Sequence, residues 1–224
     1  MKVKNNIILA LDVMDMDEAI NICDKVSNQI DTIKIGYPLT LAVGINCINT
    51  LKDQFDFKVI CDYKVADIDA TNDKIADITY SNGADGLICH GFTGEDSVKA
   101  CLNKADEYGK DLFLLTEMSH PGAKRFIQPV ADDIARMGVD LGIKNYVAPA
   151  TRLDRLQEIR NIVGEDAFII SPGVGAQGGS AKETLKISDA AIVGRSIYQS
   201  DDPEKAVHDI LNKWFKALLP FIKI

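Results

Sequence analysis

The chain is short of positive charge, of histidine and of paired cysteine, and each shortage closes off a class of function. Its 224 residues carry 25 Lys and Arg against 33 Asp and Glu, a formal net charge of −8. Phosphate backbones and anionic lipid surfaces attract basic proteins, so neither a nucleic-acid nor a membrane partner is expected. One local basic pocket for a small phosphate stays open. The three histidines, His90, His120 and His208, are too unevenly spaced to suggest a metal triad. The five cysteines (Cys23, Cys47, Cys61, Cys89 and Cys101) are odd in number and scattered, with no Cys-x-x-Cys pair. Several sit in apolar contexts, where Cys acts as a small hydrophobe, so a reduced, cytoplasmic protein is expected. The apolar run that follows Lys2 and Lys4 is broken at Asp12, too early for a targeting or membrane segment.

What the chain has is alternation. Short β-branched or apolar runs recur at Asn6–Leu11, Thr32–Gly36, Phe57–Cys61, Gly86–His90, Leu112–Thr116, Asn145–Ala148, Ala167–Ser171 and Ala190–Val193. Between them lie stretches of helical spacing: Met16–Val26, Leu39–Leu51, Ala70–Tyr80, Asp96–Tyr108, Ala131–Met137, Leu153–Val163 and a short one near Lys182–Ile187. An amphipathic segment from Pro203 to about Leu219 closes the series. Strands that alternate with helices imply a parallel sheet, and eight such units without a linker imply one closed (β/α)8 barrel, a TIM barrel spanning residues 1–224. A doubly wound open sheet would usually use fewer strands at this length.

Barrel sites lie at the carboxyl ends of the strands. There the sequence puts Asp12 after strand one, Lys34 within strand two, and Asp62 and Lys64 after strand three, with Asp67 close behind. His90, Thr116, Glu117 and Ser171 end strands four, five and seven. Period-two alternation turns Lys34 inward between Ile33 and Ile35, and puts Asp62 and Lys64 on the face of Ile60. Lone Asp-x-Lys pairs are mostly strand-capping salt bridges, but two lysines and two aspartates converging on one mouth point to a functional cluster. Opposite charges alongside hold such lysines protonated, which disfavours Schiff-base chemistry and suits a proton donor.

A second constellation is Ser171-Pro172-Gly173-Val174-Gly175-Ala176-Gln177-Gly178-Gly179, with Gly194-Arg195-Ser196 after strand eight. Gly173 to Gly178 matches Gly-x-Gly-x-x-Gly in letters alone. A dinucleotide fingerprint needs an early βαβ unit and an acidic residue at the next strand end, where this chain has Gly194-Arg195. Loops after strands seven and eight commonly hold a phosphate, and Arg195 would add a charged fork.

With Asp62-Tyr63-Lys64-Val65-Ala66-Asp67-Ile68, the chain resembles the orotidine 5′-monophosphate decarboxylases in their compact archaeal-like form. The likeness runs through Leu9-Ala10-Leu11-Asp12, Lys34-Ile35-Gly36, His90-Gly91-Phe92, Leu115 to Ala123, Ser171 to Gln177 and Val193 to Tyr198. Asp-x-Lys-x-x-Asp is shared with other sugar-phosphate barrels; Lys34, Ser119 and Gln177 make the match specific. The resemblance implies cofactor-independent loss of carbon dioxide from orotidine 5′-monophosphate, giving UMP. Lys64 would protonate C6, Asp62 would lie against the carboxylate, and Lys34 and Asp67 would complete the array. It also implies a homodimer in which Asp67, Ile68 and Thr71 reach the neighbouring site. Asp12 and Lys34 would hold ribose hydroxyls and Ser119 the pyrimidine. Gln177, Gly194 and Arg195 would hold the phosphate, with residues Pro172 to Lys182, among them Gly173, Val174, Gly175, Ala176 and Gly178, closing as a lid. The rival is a magnesium-dependent sugar-phosphate decarboxylase or aldol-type synthase, for which a carboxylate is expected where this chain has Lys34.

Overall fold

The structure, a computed structural model, describes residues 1–175 and 177–218, with side chains through Trp214. Eight parallel strands pair in sequence order, and the first also pairs with the last, so the sheet closes on itself. They are β1 (Ile7–Ala10), β2 (Thr32–Gly36), β3 (Lys58–Val65), β4 (Gly86–His90), β5 (Asp111–Leu115), β6 (Asn145–Val147), β7 (Phe168–Pro172) and β8 (Ala190–Val193). The expected (β/α)8 TIM barrel is the fold.

Helices return the chain between strands, as parallel pairing demands. The first, α1 (Met16–Val26), starts where the Asp15 carboxylate accepts the Glu18 amide at 2.9 Å, and it buries Ala19, Ile22, Cys23 and Val26. The single helix expected over Leu39–Leu51 is instead two, α2 (Tyr37–Val43) and α3 (Cys47–Gln54), because Gly44 between them takes a φ of +89°. Then follow α4 (Asp69–Ser81), α5 (Glu95–Tyr108), α6 (Ala123–Phe126), α7 (Ala131–Asp140), α8 (Leu153–Val163), α9 (Ala181–Thr184), α10 (Arg195–Tyr198) and α11 (Pro203–Leu218). The one-turn helices α6 and α10 lack a periodic stretch long enough to read from sequence. Leu219, the expected end of the last helix, lies outside the described residues.

Alternation along the strands builds two cores. Ile8, Ala10, Ile60, Ile88, Phe113, Leu115, Val147, Ile170, Ala190 and Ile192 fill the barrel interior, while their odd-numbered neighbours or counterparts of opposite parity pack against the helices. Phe113 takes space that β4 yields at Gly86, where a Cβ would come within 2.8 Å of its ring. The interior is therefore packed, and the space at the barrel mouth lies above it.

At the opposite face Arg160 of α8 ties the barrel bottom. It is 4% exposed and donates to the carbonyls of Ile187 (2.8 Å), Gly164 (3.0 Å) and Ala167 (2.7 Å), and to the Asp189 carboxylate at 2.6 Å. Removing one partner from such a set strands the others. Arg160→Leu is expected to lower the unfolding free energy by about 3 kcal/mol, read from urea denaturation at constant m-value. A loss under about 1 kcal/mol would contradict that account.

Candidate active site

Strand β3 supplies the centre. Its pairing with β4 runs in register through Cys61, shifts, and resumes only at Val65. Within that bulge Lys64 takes a φ of +44°, a left-handed conformation that costs a non-glycine residue about 1–3 kcal/mol. Both charged side chains of the segment thereby remain at the mouth: Lys64 Nζ donates to Asp62 Oδ1 at 2.7 Å. The other carboxylate oxygen of Asp62 meets Lys34 Nζ at 2.8 Å, and Lys34 also lies 3.6 Å from Asp12. The four form one chain of alternating sign, Asp12–Lys34–Asp62–Lys64. Its middle members are the least exposed, at 7% for the Lys34 side chain and 11% for Asp62.

Burial alone would drive both middle groups toward neutrality. It lifts the Asp62 carboxyl, but the ammonium groups of Lys34 and Lys64 outweigh it and hold Asp62 below the usual carboxylate range. Burial likewise opposes charge on Lys34, but Asp62 and then Asp12 reverse that, so its ammonium is held above the usual lysine value. Each charge exists because of the next.

This array forms one wall of a cavity of about 500 Å3, within the range of small-molecule sites. Its floor is apolar, made by Ala10, Ile88, Leu115, Val147 and Ile192 at the top of the barrel interior. Across from the lysines stand Met118, Ser119 and His120 from the loop after β5, Pro172, Gly173, Val174 and Gln177 after β7, and Gly194, Arg195 and Tyr198 after β8. The loop after β7 folds on itself: the Gly175 amide donates to the Gly179 carbonyl at 3.1 Å, and the Gly179 amide to the Gly173 carbonyl at 3.0 Å. Gly173 and Gly178, at φ of +98° and +90°, allow that turn. Gln177 Oε1 accepts from Ser119 Oγ at 2.9 Å, linking this loop to that of β5. Gly194 is needed for close approach, since a Cβ there would lie 3.3 Å from that of Ala10. Among the described residues no three His, Cys, Asp or Glu side chains gather as a metal site would require.

The comparisons with known proteins agree on one family. The model of the orotidine 5′-phosphate decarboxylase / HUMPS family matches residues 5–210. The orotidine 5′-phosphate decarboxylase of Methanosphaera stadtmanae is 62% identical, the match covering 94% of this chain and 98% of that one. That of Methanococcoides burtonii is 49% identical over 95% and 99%. The chain belongs to the orotidine 5′-phosphate decarboxylase family. Among solved structures, the orotidine 5′-monophosphate decarboxylase of Methanocaldococcus jannaschii, complexed with inhibitor BMP, superposes with a TM-score of 0.88 at 46% identity, covering 95% of this chain and 98% of that one. The enzyme from Pyrococcus horikoshii gives 0.86 at 38%, with 93% and 99% covered.

Of the residues the decarboxylase resemblance singles out, Asp12, Lys34, Asp62, Lys64, Ser119, Pro172, Gly173, Val174, Gln177, Gly194 and Arg195 line the one cavity. Gly175 and Gly178 shape the β7 loop without lining it, and Ala176 lies outside the described residues. Asp67, Ile68 and Thr71 do not line this chain's own cavity. Asp67 and Ile68 are exposed beyond β3, where the buried Asn72 accepts the Asp67 amide at 3.0 Å and donates to the Ser97 carbonyl at 3.2 Å. Sequence reading missed Asn72 and Ser97, because an Asn inside a helix carries no periodic signal. The polar residues at strand ends five and seven stay out of the cavity. Thr116 gives its hydroxyl to the Val147 carbonyl, Glu117 is wholly buried outside the cavity, and Ser171 follows the helix-facing parity of Ile169.

His90, inward-facing at the end of β4, has no partner for Nδ1 among the described residues. Burial, with Lys64 second, pushes its pKa down to about 4, against a smaller opposing pull from Asp62. In the unfolded chain the value is about 6.5, so below that pH unfolding takes up a proton and stability falls until about pH 4. Asp62, held below its unfolded value, adds a loss in the same direction as pH falls further. Imidazole NMR should give His90 a midpoint of about 4. His90→Asn should flatten the stability change between about pH 6.5 and 4; a midpoint near 6.5 in the native protein would refute this.

Proposed function

We propose that this chain decarboxylates orotidine 5′-monophosphate to UMP and carbon dioxide without a metal or organic cofactor. The observation that carries the proposal is Asp62, a buried carboxylate held between Lys34 and Lys64 at the edge of an apolar-floored cavity. Loss of carbon dioxide from C6 leaves an electron pair in an sp² orbital, which the ring cannot delocalise. Acceleration on the order of 20 kcal/mol is needed, and preorganised charge is the means this site offers.

In the proposed reaction Lys64 faces C6. Its ammonium is attracted more strongly to a localised carbanion than to a delocalised carboxylate one bond farther away, and it then delivers its proton to C6. The C6–carboxylate bond breaks, its electron pair stays on C6, and the Lys64 proton closes the valence. Asp62 lies against the departing carboxylate and is relieved as it leaves. Lys34 and Asp12 hold ribose hydroxyls, and Ser119 holds the pyrimidine. Gln177, Gly194 and Arg195 hold the phosphate, over which the loop from Pro172 to Lys182 closes, so that remote binding energy assists the chemical step.

The proposal includes a homodimer with shared sites, in which Asp67, Ile68 and Thr71 of each subunit serve the other. Exposed apolar side chains support it: Met14, Tyr37, Leu41, Ile68 and Phe92 all follow strands β1 to β4, on one half of the mouth. The alternative, a magnesium-dependent sugar-phosphate decarboxylase or aldol-type synthase of the same barrel group, would want a carboxylate where Lys34 stands.

Orotidine 5′-monophosphate turnover, followed by absorbance loss, should survive excess chelator. Lys64→Ala should reduce it by a factor of ~10⁴ or more while UMP binding by calorimetry is largely kept. Retained turnover would end the assignment of Lys64, and activity only on ketose phosphates with added magnesium would end the decarboxylase reading.

For the shared site, Asp67→Ala and Lys64→Ala proteins, each inactive, should regain activity on mixing, because one of the two sites in every hybrid dimer would carry neither substitution, about a quarter of all sites after random exchange. No recovery despite subunit exchange shown by mass spectrometry would count against it.

A further inference from the structure

Glu117 is fully buried and touches nothing in the cavity, yet it is the most heavily paired carboxylate of the mouth. Oε1 accepts from Arg152 Nε and from Gln128 Nε2, each at 2.9 Å, and Oε2 accepts from Arg155 Nε at 2.9 Å. Arg152 Nη2 adds a contact of 2.9 Å to Oε1. Arg155 is itself pinned by Asp132 of α7 at 2.5 Å and by Glu158. The carboxylate is thus fixed to two helices of the outer layer.

Arg152 does not stop at Glu117. Its guanidinium donates to the Met118 carbonyl and, at 3.3 Å, to the Ser119 carbonyl, which also accepts from Thr151 Oγ1 at 3.0 Å. Ser119 then reaches Gln177 through its hydroxyl at 2.9 Å. The path runs from Glu117 through Arg152 to the backbone of Met118 and Ser119, and on to the loop after β7. Thr151 meets that loop from the other side, its methyl filling the place of a Cβ at Gly173, 2.7 Å away.

We infer that Glu117 is a positioning residue: through Arg152 it fixes the Ser119 backbone so that one side chain can serve both the pyrimidine end of the cavity and the phosphate loop. The inference rests on the decarboxylase reading for what the cavity holds, but not for the linkage itself. A planar guanidinium is needed at the relay, since one fork must satisfy a carboxylate and two carbonyls together; a lysine head cannot. The carboxylate is needed because an amide would present N–H to one of the arginines.

Two measurements test it. In Glu117→Gln, kcat/KM for orotidine 5′-monophosphate should fall, on the order of 100-fold as for a misplaced contact group. Gln177→Ala should also reduce it, and the double variant should be no worse than the weaker single one. Additive losses would overturn the inference, because a general loss of structure would not recognise Gln177. Independently of any substrate, amide exchange at Gly175, Gly178 and Gly179 should quicken in Glu117→Gln while β1 amides keep wild-type rates. Unchanged exchange in the loop overturns the inference as well. Should Glu117→Gln not fold, Arg152→Lys, which leaves the carboxylate charged, takes its place in both experiments. A wild-type chain inert toward orotidine 5′-monophosphate would end the decarboxylase reading, and the exchange rates would still decide the linkage.

Discussion

A carboxylate buried between two ammonium groups is the constraint from which the mouth of this barrel is built. Asp62 could not remain charged at 11% exposure without Lys34 and Lys64, and Lys34, still more buried, could not remain charged without Asp62 and Asp12. The register of β2 against β3 makes this possible. Gly36 lies beside Asp62 and Lys34 beside Ile60, so Lys34 starts one layer lower and reaches up. The absence of a side chain at Gly36 leaves that path open, with the Asp12 carboxylate 3.8 Å from where a Cβ would be. Lys64 requires a distortion as well, and the break in β3–β4 pairing supplies it.

The apolar floor gives the charges their strength. Ile88, Leu115, Val147 and Ile192 belong to the barrel core below and to the cavity above, so the packing that stabilises the fold also keeps the dielectric low under the array. The loops after β7 and β8 contribute differently. They bring glycines, a glutamine and an arginine, groups suited by geometry to an anion, without a buried charge pair of their own. For the proposed reaction this division is apt: charge acts where electrons move, and adaptable backbone acts where binding energy is collected.

Most of this was legible in the sequence, for reasons that can be named. Period-two alternation correctly turned Lys34 inward, and the breaks at Gly109 and Gly164 gave the ends of α5 and α8. Standing at a strand end does not by itself bring a side chain to the mouth. Ser171 keeps the helix-facing parity and is lost to the mouth, and the kink at Lys64 is a property of pairing with β4 that no local pattern encodes. Asn72, Ser97 and Arg152 act by holding backbone groups of residues far away in the chain, and a sequence pattern reports neighbours, not such partners.

Asp62 and Glu117 show how little residue type alone decides. Each is a carboxylate near the end of a core strand, each takes two cations, and each would be ruinous to the fold if left unpaired. They differ in what their cations can still do. The ammonium groups around Asp62 are compact, with donors to spare and a cavity in front of them, so their charge remains available to a third party. The guanidinium groups around Glu117 have spent their planar forks on carbonyls and on other carboxylates, so they transmit position and not charge. A barrel mouth needs both kinds: an array whose charge is available, and a frame whose charge is fully consumed in holding the loops that face it.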